Sequence, residues 1–280
     1  MTMRAKATKR ARKTTMVDVT MRNAIAIVVM NRPELHNAFN ETLIAELTAT
    51  LDTLDGDETV RAVVLAGAGK SFCAGADLHW MKKMAGHGHA ENVADANALA
   101  HMLRTLYGLS KPTIARVHGT AMGGGVGLVA CCDIAIAAQE ATFAFSEGKL
   151  GLIPATIAPY AIEAIGARQA RRYFVTAERF TAAEAFRIGL VHDIVPMVEL
   201  DARINELLGS LLLVGPRAQV ECKALIRGVA HRSIDAELIA GTAEHIAAVR
   251  ASQEGRDGVA AFLGKRSAPW APREPKETSQ

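Results

Sequence analysis

The chain has 280 residues, half of them apolar, and a formal net charge of +3 at pH 7, enough for one sizeable domain with an appended helical piece and a well-developed core. The charge is unevenly held: Arg4, Lys6, Lys9, Arg10, Arg12 and Lys13 precede the first acidic residue, Asp18, so the body carries about −3 and offers no global basic field for nucleic acid. Cys73, Cys131, Cys132 and Cys222 form no CxxC pair and no Cys/His cluster at metal spacing, which argues against a zinc site or a disulfide framework and fits reduced thiols in a cytoplasmic protein.

Residues 1–15 read as a solvated, disordered basic tail; they lack the apolar stretch of a secretory signal, and a phosphate-binding arm is the other use their charge permits. Short apolar runs predict strands at Ala24–Met30, Val60–Ala66, Thr113–Val117, Asp133–Ala137 and Thr142–Phe145. Between them, Leu43, Ile44, Leu47, Leu51 and Leu54 stand at helical spacing in Glu41–Leu54, and Ala98–Leu109 is a second helix. Met81–Val93 and Ala155–Ile165 are expected as loops that wall a pocket. The alternation makes residues 16–196 an α/β core. The longest weakly polar run, Gly119–Ala138, contains Asp133 and several glycines, and is a poor membrane span. Residues 197–267 are rich in helix formers, with breaks at Gly215-Pro216, His231–Ser233 and Gly255, and read as a helical region packed on the core or on a neighbouring subunit. Pro269, Pro272 and Pro275 mark residues 268–280 as a flexible tail.

Two glycine-rich stretches imitate nucleotide motifs and fail them. Gly67–Ser71 ends like a phosphate-binding loop, but Val64 stands where the first glycine is required. Gly123, Gly125 and Gly127 miss the dinucleotide pattern because Leu128 occupies the third required position. What remains for Gly123–Gly127, followed by apolar Leu128–Cys132, is either close packing of a helix on a strand or a turn whose N–H groups converge on an anion at a helix start. Residue types alone leave both open.

Four segments in register bear on that choice: Asn31–Asn40, Phe72–Leu78, Lys111–Gly125 and Ser146–Pro154. Together they resemble the enoyl-CoA hydratase/isomerase (crotonase) superfamily from about residue 16 to residue 266. The resemblance implies a spiral of ββα units with a C-terminal helical region, assembled as a homotrimer or a dimer of trimers. It implies an acyl-CoA substrate whose coenzyme A is part of the substrate rather than a cofactor; no metal or membrane partner is expected, and nucleic acid is not the expected partner. The thioester oxygen would lie between the N–H groups of Ala76 and Gly124, with Gly75 and Gly123 beside them. Such donors stabilise an enolate, and the remaining chemistry is proton movement. A lone Glu in a turn is ordinarily a cap or a solvated residue; the family motif makes Glu147 the proton carrier, set among Phe143, Phe145, Leu150, Leu152 and Ile153, apolar neighbours that would raise its pKa.

The chain departs from the family where Gly127 replaces a second glutamate, which leaves one acid for a hydratase and suits an isomerase equally. Gly123–Leu128, Ser146–Ile157 and Arg171–Phe180 look most like bacterial methylglutaconyl-CoA hydratases of leucine breakdown, so hydration of that class of enoyl-CoA leads, with a double-bond isomerase second and an RNA-binding or silent member third. By the same resemblance Ala38 and Ala74 line the coenzyme A site, Lys82 and Lys83 are phosphate contacts, and Phe262 with Lys265 reach a neighbour's site; solvated surface is the plain reading of the lysines. His118 is expected to hold loop backbone, Asp133 to anchor a strand, and Lys149 to be a surface residue.

Overall fold

In the computed structural model, which describes residues 15–272, a six-stranded sheet runs through the core. Strand β1 (Val17–Arg22) pairs antiparallel with β2 (Ile25–Met30), and β3 (Ala62–Gly67), β4 (Thr113–Val117), β6 (Ile134–Ala138) and β9 (Asp193–Val195) continue the sheet in parallel. A second sheet orders β5 (Thr120–Met122), β7 (Thr142–Ala144) and β8 (Phe180–Thr181). Parallel neighbours need crossovers. Helix α1 (Glu41–Gly56) joins β2 to β3, and α2 (Leu78–Met84) with α3 (His89–Gly108) joins β3 to β4. The turn from β4 into β5 and the helix α4 (Gly124–Cys131) then leads to β6. Helices α5 (Ala158–Thr176) and α6 (Ala182–Arg187) complete the path to β9.

Burial follows the pleat. Val63 and Leu65 point into the larger core with Leu43, Leu47, Leu51, Leu103 and Leu106, whereas Ala62 and Val64 point to the opposite face with Ile114 and Ile136. That second face is covered by α7 (Leu200–Leu213) through Leu200, Ile204 and Leu208. Both faces of the parallel strands are therefore dry, which is why β3 reads as a continuous apolar run. Strand β1 was not anticipated from sequence: it is an edge strand with only Val17 buried. Segments expected as loops also turn out otherwise. Met81–Val93 is largely α2 and the start of α3, whose first turns are polar and exposed. Most of Ala155–Ile165 is the first half of α5, obscured because Gly166, at φ 72° and ψ 155°, kinks that helix.

The C-terminal region adds α8 (Pro216–Val229), α9 (Ala236–Ala251) and α10 (Gln253–Leu263). Its link to the core is a polar one: Lys223 on α8 reaches Asp133 Oδ2 at 2.6 Å and the Lys111 carbonyl at 3.0 Å. Helix α9 buries no residue completely, and Ile239, Ile246, Phe262 and Leu263 are exposed. Residues 268–272, expected as part of a free tail, instead lie along this region: Trp270 Nε1 donates to the Leu213 carbonyl at 3.0 Å. The basic tail expected at 1–15 falls outside the described residues except for Thr15. No described helix is long and apolar enough to cross a membrane.

Candidate active site

The site begins with a left-handed corner. His36 and Asn37 both have positive φ, 52° and 56°, a conformation Asn tolerates through local hydrogen bonding. The wholly buried Asn37 side chain donates to the carbonyls of Ala68 and Ser71 at 2.9 and 2.8 Å, and accepts from the Arg32 N–H at 2.9 Å. The corner turns the chain so that Phe39 lies beside residues 75–77 as an isolated parallel bridge to Ala76. In that bridge Phe39 uses both its backbone groups, donating to the Gly75 carbonyl at 2.7 Å and accepting from the Asp77 N–H at 2.8 Å. The polar groups of Ala76 consequently face away from Phe39. Its N–H has no protein acceptor among the described residues.

Gly124 is the first residue of α4, so its N–H has no partner within the helix. It too donates to no protein group among the described residues. The two free donors are brought together by close backbone approach. Gly75, at φ 91°, lies so near the strand end that a Cβ there would sit 3.0 Å from the Met122 carbonyl oxygen and 3.9 Å from the Gly123 α-carbon. Gly124 rests on the Phe39 ring, where a Cβ would meet Cε2 at 2.5 Å. Glycine is thus required at both places on packing grounds as well as for exposing N–H groups. Of the two readings left open by the sequence, close packing is observed, and it leaves both N–H groups without a protein acceptor among the described residues.

Glu147 opens a short 3-10 turn, Glu147–Leu150, just after β7. Its carboxyl lies against Gly123, where an added Cβ would be 2.9 Å from Oε1. The other oxygen, Oε2, is buried without a hydrogen-bond partner among the described residues. Burial pushes the Glu147 carboxyl above the usual carboxylate range, opposed only in part by a backbone hydrogen bond. Phe143 and Phe145 are fully buried, as expected for an apolar setting, whereas Leu150, Leu152 and Ile153 are exposed and contribute a rim instead. An unpaired, poorly solvated carboxyl beside free N–H donors can hold and release a proton next to a group whose negative charge those donors accept.

Gly127 sits one turn further along α4, and its place is occupied from the other side. A Cβ at this position would overlap Ile157 Cγ2 and lie 2.9 Å from Ile157 Cβ, with Leu103 Cδ2 at 3.5 Å. No side chain has room there while Ile157, 1% exposed, keeps its position at the start of α5. Ile157 was not singled out from the sequence, although it ends the segment Ser146–Ile157 on which the resemblance partly rests.

The remaining sequence candidates are distributed unevenly. Ala38 is buried, and its carbonyl accepts from Arg32 Nη1 at 2.5 Å. Ala74 is half-buried and donates to the His36 carbonyl at 2.9 Å. Both flank the bridge. Lys82 and Lys83 are exposed on α2, with Lys83 paired to Glu41 at 2.5 Å. Phe262 and Lys265 belong to α10 and the residues after it; α10 packs on α8 and α9, so within one chain they are not brought to Glu147. His118 Nδ1 accepts from Arg116 Nη1 at 3.3 Å and its Nε2 donates to the Gly69 carbonyl at 2.9 Å, with burial lowering its pKa. Asp133 accepts from the Thr113 N–H and hydroxyl at 2.7 and 2.8 Å, which anchors β4 to β6. Among the described residues no group of three or more His, Cys, Asp or Glu could hold a metal ion. Sequence reasoning missed the buried pair Arg32–Asp77, joined at 2.8 Å beside Ala76; the signal was present as an arginine and an aspartate within two of the four matching segments.

Comparison with known proteins bears on the fold and the family. A crystal structure of an enoyl-CoA hydratase from Shewanella pealeana matches with a TM-score of 0.89 at 42% identity, covering 91% of this chain and 96% of that one. The crotonyl-CoA hydratase of Syntrophomonas wolfei is 33% identical over 87% of this chain and 93% of its own length. The short-chain-enoyl-CoA hydratase of Clostridium acetobutylicum is 33% identical over 86% and 92%, respectively. The family model described as enoyl-CoA hydratase/isomerase matches residues 20–273. With fold and nearly the whole length in common, the chain belongs to the enoyl-CoA hydratase/isomerase (crotonase) superfamily.

Proposed function

We propose that the protein is an enoyl-CoA hydratase that adds water across, or removes it to form, the 2,3 double bond of an acyl-CoA thioester. The observation that carries this reading is the buried, unpartnered Oε2 of Glu147 beside Gly123, one residue from the free N–H of Gly124. The thioester oxygen accepts hydrogen bonds from Ala76 and Gly124, each such donor being worth roughly 3 kcal/mol when negative charge develops. Glu147 takes a proton from water as its oxygen bonds to Cβ, the charge moves to the thioester oxygen as an enolate, and the same carboxyl returns the proton to Cα. Water is consumed, and no other atom enters or leaves. The raised pKa suits a group that must both accept and give the proton. Coenzyme A enters and leaves with the substrate; Lys82 and Lys83 on the α2 surface are suited to its phosphates.

Gly127 makes Glu147 the sole acid of this centre. Water then needs a second hold, which a carboxylate on the acyl chain can supply, and this favours a methylglutaconyl-type substrate over a plain enoyl chain. The same feature supports a second reading, a double-bond isomerase in which Glu147 carries one proton from C2 to C4 of a 3-enoyl thioester. Exposed apolar side chains on α9 and α10 suit assembly into trimers or dimers of trimers, with Phe262 and Lys265 serving a neighbour's site. The test is a panel of enoyl-CoA thioesters with and without a distal carboxylate, scored for hydration and for bond migration. Efficient hydration confined to carboxylated chains supports the leading reading; migration without any 3-hydroxyacyl product supports the isomerase.

A further inference from the structure

Ala76 is held on a turn that has no regular secondary structure of its own, yet a catalytic donor must be fixed to a fraction of an ångström. The surroundings show what fixes it. Arg32 is 7% exposed and Asp77 5%, an ion pair almost wholly removed from water. Arg32 leaves no obvious stability reason for being charged, because buried ion pairs are often replaceable by apolar residues without loss. Each charged group is instead tied to nearby backbone, Arg32 to the segment that pairs with Ala76 and Asp77 to the chain that follows it. Arg32 Nη1 donates to the carbonyl of Ala38, immediately before Phe39, and Nη2 donates to Asp77 Oδ2 at 2.8 Å. Asp77 Oδ1 accepts from the N–H groups of His79 at 2.7 Å and Trp80 at 3.3 Å, at the start of α2. Phe39 and residues 75–77, the two segments of the bridge, are thereby clamped by one guanidinium, and the chain immediately after Ala76 is tied to a helix.

We propose that Arg32 and Asp77 are positioning residues that aim the Ala76 N–H at the thioester oxygen. The inference rests on the reading of Ala76 and Gly124 as the oxyanion donors. Neither side chain touches the substrate. Each acts through the bridge between Phe39 and Ala76, so its loss alters the angle of one donor and leaves the rest of the acyl-CoA site in place. Asp77 is held below the usual carboxylate range although burial opposes this, because Arg32 and two N–H donors outweigh the burial; the clamp is therefore charged at working pH.

The test measures the carbonyl stretching frequency of bound butyryl-CoA, labelled with carbon-13 at the thioester carbon, together with kcat and KM for hydration. A red shift of the bound carbonyl relative to free thioester reports the donors directly. The neutral pair Arg32→Met with Asp77→Asn avoids leaving a lone buried charge. This variant should lose at least half of the red shift and at least tenfold in kcat, with KM within threefold. Arg32→Lys, which keeps the charge but not the fork, should recover part of both, and it serves as the readout if the double variant does not fold. In an Ala76→Pro background, where that donor is already gone, the clamp substitutions should cost less than threefold further in kcat. A folded clamp variant, or Arg32→Lys, with the full red shift and normal kcat would overturn the proposal. If Ala76→Pro itself kept the full shift, the oxyanion assignment would fall first, and the two failures are told apart by that variant.

Discussion

Filling the gap at Gly127 is the most quantitative perturbation available. In Gly127→Ala the new methyl would overlap Ile157 Cγ2 and stand 2.9 Å from Ile157 Cβ. A β-branched side chain has little rotameric freedom with which to yield, while Leu103 Cδ2, 3.5 Å from the new methyl, is in ordinary contact. Overpacking of this kind costs roughly 1–3 kcal/mol, and two close contacts to one stiff side chain call for the upper end. Alanine recovers about 1 kcal/mol through helix preference, so the net loss should be about 2 kcal/mol. For a chain of this size that is a fall in melting temperature of roughly 4–8 °C. Gly127→Glu, which places an acid where the family resemblance implies one, should be worse, because an unpaired buried polar group adds about 1–3 kcal/mol. Truncating Ile157 to Ala in the Gly127→Ala background removes the Cγ2 overlap and leaves only the 2.9 Å approach to Cβ, so the pair should be non-additive by at least about 1 kcal/mol. The assay is urea unfolding at fixed protein concentration for wild type, both single variants and the double variant. Should Gly127→Ala prove as stable as wild type, or the two substitutions add simply, Ile157 does not occupy the space and the steric explanation for the missing acid is wrong.

Three further outcomes are expected. Because burial raises the Glu147 pKa above its ordinary value of 4.5, the stability it contributes is full below that value and lost as pH rises through the folded pKa; Glu147→Gln should therefore gain stability relative to wild type with rising pH across that window, as read by denaturant midpoints, and an unchanging difference would contradict the burial. Lys223→Met breaks the contact with Asp133, and since Asp133 keeps Thr113 and some solvent the loss should be about 1–3 kcal/mol, seen as a lower melting temperature; no shift would mean the helical region is held to the core by other contacts. Deleting residues 1–14 should leave acyl-CoA turnover unchanged, because the family match begins at residue 20; loss of activity, or tight RNA binding by the full chain at physiological salt, would give the basic segment a larger role.

The parallel strands β2, β3, β4 and β6 were legible as short, largely buried apolar runs, and Thr113–Val117 was placed at the bounds observed for β4, whereas the three-residue strands β5 and β9 were not anticipated. Helix α1 was equally plain, with five buried residues at helical spacing behind the Asn40 cap. Surface structure escaped as well. Strand β1 exposes five of its six residues, and the first turns of α3 carry no apolar stripe for the eye to follow. Of the candidate site, Ala76, Gly124 and Glu147 came from motif resemblance, and the structure adds what no motif states: which N–H groups lack acceptors and which carboxyl oxygen lacks a donor. The clamp of Arg32 and Asp77 joins residues 45 positions apart. Ile157 fills the space above Gly127 from 30 positions downstream. Neither pairing has a local periodicity, so only the folded chain reveals them.

Addition of water to an enoyl thioester by one carboxyl, Glu147, with two backbone donors holding the thioester oxygen, is the proposed chemistry. It is tested most directly by turnover of methylglutaconyl-CoA in water enriched in both oxygen-18 and deuterium, with the product weighed and its labels located. The account predicts one oxygen-18 at C3 and one deuterium at C2, with Glu147→Gln slower by roughly 10²–10⁴. An unlabelled C3 with the double bond moved, or a Glu147→Gln variant that labels at the wild-type rate, would contradict it.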